Sequence, residues 1–148
     1  MGFHLEDTDG EKIEFGQSGS TVVFCFDFEN HGLKPNDATS FSLGVLTNRE
    51  QPIFHYYSDF SDVYFKDVPK KGVFKCTIPH LPLAPGNYLI GVRCVINGSM
   101  SNGEEVDWPR IYIPMNVQTG DFFNIGSSNI SQWGPVLVKG EWTMEGRP

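Results

Sequence analysis

Cysteine is scarce in this chain and badly spaced for chemistry. The three residues, Cys25, Cys76 and Cys94, form no CxxC pair and no zinc-type Cys/His spacing. Each lies in an apolar or alternating run, where cysteine behaves as a small buried hydrophobe. A reducing compartment is therefore expected, without a disulfide framework. The four histidines, His4, His31, His55 and His80, are scattered and make no HExxH or His-x-His pattern, so neither metal nor cofactor is expected. No apolar run is long enough to span a bilayer. The start, MGFHLED, is acidic and has no apolar stretch, so no secretory signal is expected. Position 6 is Glu6, which rules out the myristoylation pattern. No GxxxxGK[ST] occurs, which excludes a P-loop ATPase site. Helical periodicity, internal repeats and low-complexity linkers are missing too. Basic residues are few: 11 Lys and Arg against 18 Asp and Glu, for a net charge of −7. That balance makes nucleic acid and anionic membranes poor partners and favours a neutral or weakly charged ligand.

What is present is turn chemistry and alternation. The 148 residues suit one domain, and 12 Phe within a 39% hydrophobic composition supply ample core. Sixteen Gly and 10 Pro demand many turns. Thr21–Glu29 is the clearest strand, with Val22, Phe24, Phe26 and Phe28 on one face and Val23, Cys25, Asp27 and Glu29 on the other. In LPLAPGNYLIGV, residues 81–92, a Pro-Gly turn feeds a strand alternating Tyr88, Ile90, Val92, Cys94 and Ile96 against Leu89, Gly91, Arg93 and Val95. Further strands are expected at Lys12–Phe15, Phe41–Asn48, Ile53–Tyr57, Val63–Phe65, Gly72–Ile78, Arg110–Val117 and Val136–Trp142. About eight or nine strands with short joints predict an all-β, immunoglobulin-like antiparallel β-sandwich occupying 1–148 as one domain.

Parity sorts the outward side chains. If the strands at 41–48, 87–96 and 110–117 share a sheet, one face gathers Ser42, Gly44, Gly91, Arg93, Trp108, Arg110, Tyr112 and Asn116. His55 and Tyr57 extend it from the neighbouring strand. Two glycines remove bulk mid-sheet, so a flat ring can approach the backbone. Aromatic planes, guanidinium donors and an amide surround that gap, the groups that stack on sugar C–H faces and bond hydroxyls. The plain alternative is that these are ordinary polar residues on the wet face of an antiparallel sheet. The remaining constellations are weaker. Asp7-Thr8-Asp9-Gly10 lacks the third acidic ligand and distal Glu of a calcium loop. Asp59 and Asp62 lie in one polar segment rather than as an opposed catalytic pair. Gly16-Gln17-Ser18-Gly19 sits between strands and is not a nucleophile elbow. No catalytic set assembles, so no enzyme activity is expected.

The ordered series LPLAPGNYLIGV, Asn97–Gly98, Asp107, IYIPMNV, GDFFNIG and GPVLVKGEW resembles the C-terminal carbohydrate-binding domain of Wzt-type ABC transporter ATP-binding subunits. The match is strongest over residues 81–142, and GQSGSTVVFCFDFEN adds a weaker opening segment. The resemblance implies a sandwich that binds the non-reducing terminus of an O-antigen polysaccharide on a sheet face, without catalysis. It implies a parent ATPase domain and a transmembrane permease as partners, and a location in the cytoplasm at the inner face of the bacterial inner membrane. A structural or protein-interaction sandwich without a sugar site is the alternative. The expected glycan-binding residues are Arg93 and Tyr112 at the centre, with Trp108, Arg110, Asn116, His55, Tyr57 and Ser42 around them. The resemblance also implies two copies held close. The terminal segment Val136–Trp142 follows a Gly- and Ser-rich connection, so it either closes its own sheet or exchanges with a second copy, and an exchanged homodimer is the expectation.

Overall fold

Two sheets face each other around one core in the computed structural model, which describes residues 2–96, the backbone of 104–105, 112–127 and 134–148. Among these residues the strands are β1 (Phe3–Glu6), β2 (Lys12–Ile13), β3 (Gly16–Gln17), β4 (Val22–Glu29), β5 (Thr39–Thr47), β6 (Pro52–Tyr57), β7 (Lys71–Ile78), β8 (Gly86–Ile96), β9 (Glu104–Glu105) and β10 (Ile113–Gln118). The first sheet runs β2-β1-β4-β7. The second runs β3-β10-β8-β5-β6, with β9 also pairing β8. All pairings are antiparallel except the short β3–β10 contact, which is parallel. The all-β sandwich expected from alternation is what the chain forms.

Alternation places the core. Leu5, Val22, Phe24 and Phe26 point inward from the first sheet. Leu43, Val45, Ile90, Met115 and Val117 meet them from the second, and Ile78, Leu81, Leu83 and Tyr88 complete the cluster. Phe24, Val22, Val45 and Ile90 are fully buried. Burying a large apolar side chain contributes about 1.5–3 kcal/mol, so this inward set supplies the main drive to fold.

Several of the segments that carry the Wzt resemblance also act as joints. The Ser18 hydroxyl donates to the Leu83 carbonyl at 2.6 Å and to that of Gln118 at 3.3 Å. The Tyr88 hydroxyl donates to the Ala84 carbonyl at 2.5 Å, bracing the Pro-Gly turn against the strand it feeds. Gly120 lies so close to Ser18 that a Cβ there would run into its carbonyl oxygen. In the following turn the Asp121 carboxylate accepts from the amides of Ile125 and Gly126, both at 2.9 Å. Phe122 then packs with Ala84 and Leu137 in a small second cluster.

Four differences from the sequence expectations have physical causes. β1 was not expected, because a four-residue FHLE alternation is too short to stand out. It forms because β4 offers it an edge. Gly16–Gln17, read as turn, pairs in parallel with Val117 and Gln118. Val63–Phe65 is not a strand; Phe65 makes a single bridge to Thr39. Val136–Trp142 is not a strand either. Val136 bridges Leu83 and Leu137 is buried, after which Val138–Pro148 is exposed and irregular. Its apolar residues pair with none of the described strands beyond the Val136 bridge, and Trp142 is fully exposed.

Candidate functional site

The second sheet presents its outward face as a groove, and strand register explains its shape. Gly44 on β5 sits directly opposite His55 on β6 and opposite Gly91 on β8. Because Ile113 pairs with Ile90, Tyr112 comes alongside Gly91 from the other side. One row across four chain segments therefore reads His55, Gly44, Gly91, Tyr112. The middle pair has no side chains, and the flanking rings lean over the gap. A Cβ on Gly44 would lie 3.1 Å from both Cδ2 and Nε2 of His55. A Cβ on Gly91 would lie 3.2 Å from Tyr112 Cε1 and 3.3 Å from Cδ1. Both positions thus need glycine for the rings to rest where they do.

The depression measures about 320 Å³ and is lined by Gly44, Gly91, His55, Tyr112, Arg93 and Glu50, with Ser42, Leu46, Pro52 and Val92 completing it. That size lies at the lower end of small-ligand pockets, roughly 300–1,000 Å³. Its lining mixes ring faces, a cation, an anion and exposed backbone. The next row pairs Ser42 with both Tyr57 and Arg93. The rings of His55 and Tyr57 lie nearly parallel, 6.0 Å apart and 9° from coplanar orientation. Phe60 meets Tyr57 edge-on at 4.6 Å and is 70% exposed, extending an aromatic strip along the sheet edge.

The expected site residues divide. Arg93, Tyr112, His55 and Ser42 line the groove, although Ser42 is buried and contributes floor rather than reach. Tyr57 flanks it through its pairing with Ser42. Asn116 shares the face but lies four residues along β10 from Tyr112, about 13 Å at roughly 3.3 Å per residue. Its amide is committed there, donating to Asn87 Oδ1 at 3.0 Å and to the Gly86 carbonyl at 3.4 Å. Trp108 and Arg110 lie outside the described residues. Glu50 was missed. It belongs to the β5–β6 turn, where the Thr47 hydroxyl accepts from the amides of Arg49 and Gln51. The Glu50 amide bonds the Thr47 carbonyl, so the turn folds Glu50 back toward the sheet face. Strand parity does not reach a turn residue.

A second cavity, of about 200 Å³, opens between the sheets near Phe41, Phe65, Phe74, Tyr56, Val92 and Cys76. Burial holds the Cys76 thiol at about 11, well above its ordinary value. That cavity is mostly apolar and suits no hydroxyl-rich ligand. Among the described residues, no helix is long and apolar enough to cross a membrane.

No protein-family model matches the chain, and no curated protein matches it. Among solved structures, it is similar to the crystal structure of the C-terminal domain of Wzt, with a TM-score of 0.68 at 15% identity. The match covers 97% of this chain and 81% of that one. The chain therefore has a Wzt C-terminal domain-like fold.

Proposed function

We propose that this chain is a non-catalytic glycan-binding module that holds the non-reducing terminus of an O-antigen polysaccharide for ABC-transporter export. The observation that carries the reading is the Gly44–Gly91 floor between the rings of His55 and Tyr112. A pyranose is a flat disc with C–H faces and a polar rim. The two missing side chains let the disc reach the sheet, the rings stack on its faces, and Arg93 and Glu50 offer donors and acceptors to its hydroxyls. A protein-interaction face would be flatter and more apolar. In this reading the partners are a parent ATPase domain and a permease, the location is the cytoplasmic side of the inner membrane, and the module works as a homodimer.

The exposed tail after Leu137 supports the dimer. Val138, Trp142 and Met144 are 73%, 100% and 96% exposed, an apolar segment that pairs with none of the described strands. The outermost strands of a second copy offer it an edge, and in this reading the C-terminal segment is exchanged between two copies. The test of binding is retention of O-antigen polysaccharide, extracted from the organism that encodes the chain, by the immobilised protein. Retention supports the reading, and failure to retain any overturns it. For the dimer, light scattering compares the full chain with one ending at Leu137, which keeps the buried anchor. A monomeric full chain, or a dimer that survives the truncation, counts against the exchange.

A further inference from the structure

The outward face of the first sheet carries a cluster that sugar binding does not use. His4 and Glu6 alternate on β1, on the side away from Leu5 and the core. Cys25 on β4 is the direct cross-strand partner of His4, and Lys75 on β7 is the partner of Cys25. Pairing thus sets His4, Cys25 and Lys75 in one row, with Glu6 beside it. His4 Nε2 lies 2.9 Å from Glu6 Oε1, and Lys75 Nζ donates to Glu6 Oε2 at 2.8 Å. The Cys25 thiol makes a weak 3.8 Å bond to the Val23 carbonyl. Although it stands on the outward face, Cys25 is fully buried, and Glu6 is only 8% exposed. Burial first, and then the Glu6 charge, pushes the thiol up to about 11.

One ligand atom each from His4, Glu6 and Cys25 lies within 4.8 Å of the others. We propose that these three residues form a binding site for a borderline-soft divalent cation of the zinc class, on the face opposite the groove. Imidazole, carboxylate and thiolate are the donor types zinc accepts together, whereas magnesium and calcium require oxygen donors. Tetrahedral zinc with bonds of about 2.0–2.3 Å needs donors roughly 3.3–3.8 Å apart, so small side-chain rotations close the set. On binding, the Cys25 S–H bond breaks, its proton leaves to solvent and a sulfur–metal bond forms. The Nε2–H of His4, which donates to Glu6 in the metal-free chain, also breaks. Its proton passes through water to Nδ1, or to solvent if the ring is already protonated there, freeing the Nε2 lone pair, and no electron is transferred. Water takes the fourth position. The Lys75 ammonium now neutralises Glu6, and its side chain is 46% exposed, so it can turn out to solvent. It is the built-in competitor of the metal. Sequence spacing hides this site because His4 and Cys25 meet only through strand register. The proposal is independent of the glycan reading.

Cobalt(II) tests it directly, because a thiolate ligand gives an intense near-ultraviolet charge-transfer band. Adding cobalt(II) to the purified full chain is expected to produce that band, and zinc(II) to abolish it. Cys25→Ser should remove the band, while Cys76→Ser and Cys94→Ser should leave it. His4→Gln, at a partly buried position on the outward face, should leave a chain that still unfolds cooperatively and should weaken cobalt binding about tenfold or more. Lys75→Met should tighten it several-fold. A folded chain that shows no band with millimolar cobalt, a band that survives Cys25→Ser, or affinity unchanged by His4→Gln would overturn the site and leave the cluster a plain ion pair.

Discussion

The two outward faces of the sandwich are made by opposite means. On the second sheet, Gly44 and Gly91 leave a hole that His55 and Tyr112 frame. On the first sheet, His4, Glu6, Cys25 and Lys75 fill the equivalent surface with paired charge over a buried thiol. The lesson is that an open binding face is built by omitting side chains, at some loss of local packing. A closed face is built by satisfying polar groups against one another. Both faces rest on the same core, so stability and binding separate cleanly in experiment.

The largest expected effect removes the shared foundation. Phe24 is fully buried between the sheets, and Phe24→Ala should cost about 3–5 kcal/mol in urea unfolding, disabling both faces together. Next, Gly91→Val should separate them. Its side chain would occupy the space 3.2 Å from the Tyr112 ring and block the floor. Glycan retention should fall at least tenfold by titration calorimetry, while the melting temperature changes little and the first sheet is untouched. Tyr112→Ala keeps the floor and removes one wall. Tyr112 is 43% exposed, so binding should weaken by about 1–3 kcal/mol. Its stability should stay within about 0.5 kcal/mol, as for other exposed positions.

The smallest effect reads the closed face through pH. The hydrogen bond from Lys75, and then that from His4, lowers Glu6 from its ordinary 4.5 to about 2. The unfolded chain takes up a proton at Glu6 near pH 4.5, whereas the folded chain keeps the carboxylate charged until about pH 2. The stabilisation is therefore present above that window and lost as pH falls through it. Glu6→Gln should flatten the loss of stability between pH 5 and pH 3, measured by denaturant midpoint, and leave groove binding unchanged.

Much of this contrast was legible in residue parity, and its limits are instructive. Alternation in 41–48 and 87–96 placed Phe41, Leu43, Val45 and Ile90 inward and Gly44, Gly91 and Arg93 outward, because a strand has only two sides. Register was not legible. Nothing in the spacing of His4 and Cys25 says that they are cross-strand partners, so the charged face was invisible. Glu50 escaped for a related reason, since a turn carries no period. Val136–Trp142 misled in the other direction. An apolar alternation states a strand's preference for an edge but not whether the fold brings that segment to one. Asn116 shares the outward face with Tyr112, as parity says, but lies further along it, where its amide donates to Asn87.

The assignment of the open face is tested most directly by nuclear magnetic resonance of the nitrogen-labelled chain. The titrant is O-antigen polysaccharide fragments that retain the non-reducing end. The predicted result is a set of amide perturbations centred on Gly44, His55, Gly91 and Arg93, with His4, Cys25 and Lys75 unmoved. Perturbations confined to β1, β4 and β7, or none at saturating fragment, would contradict it.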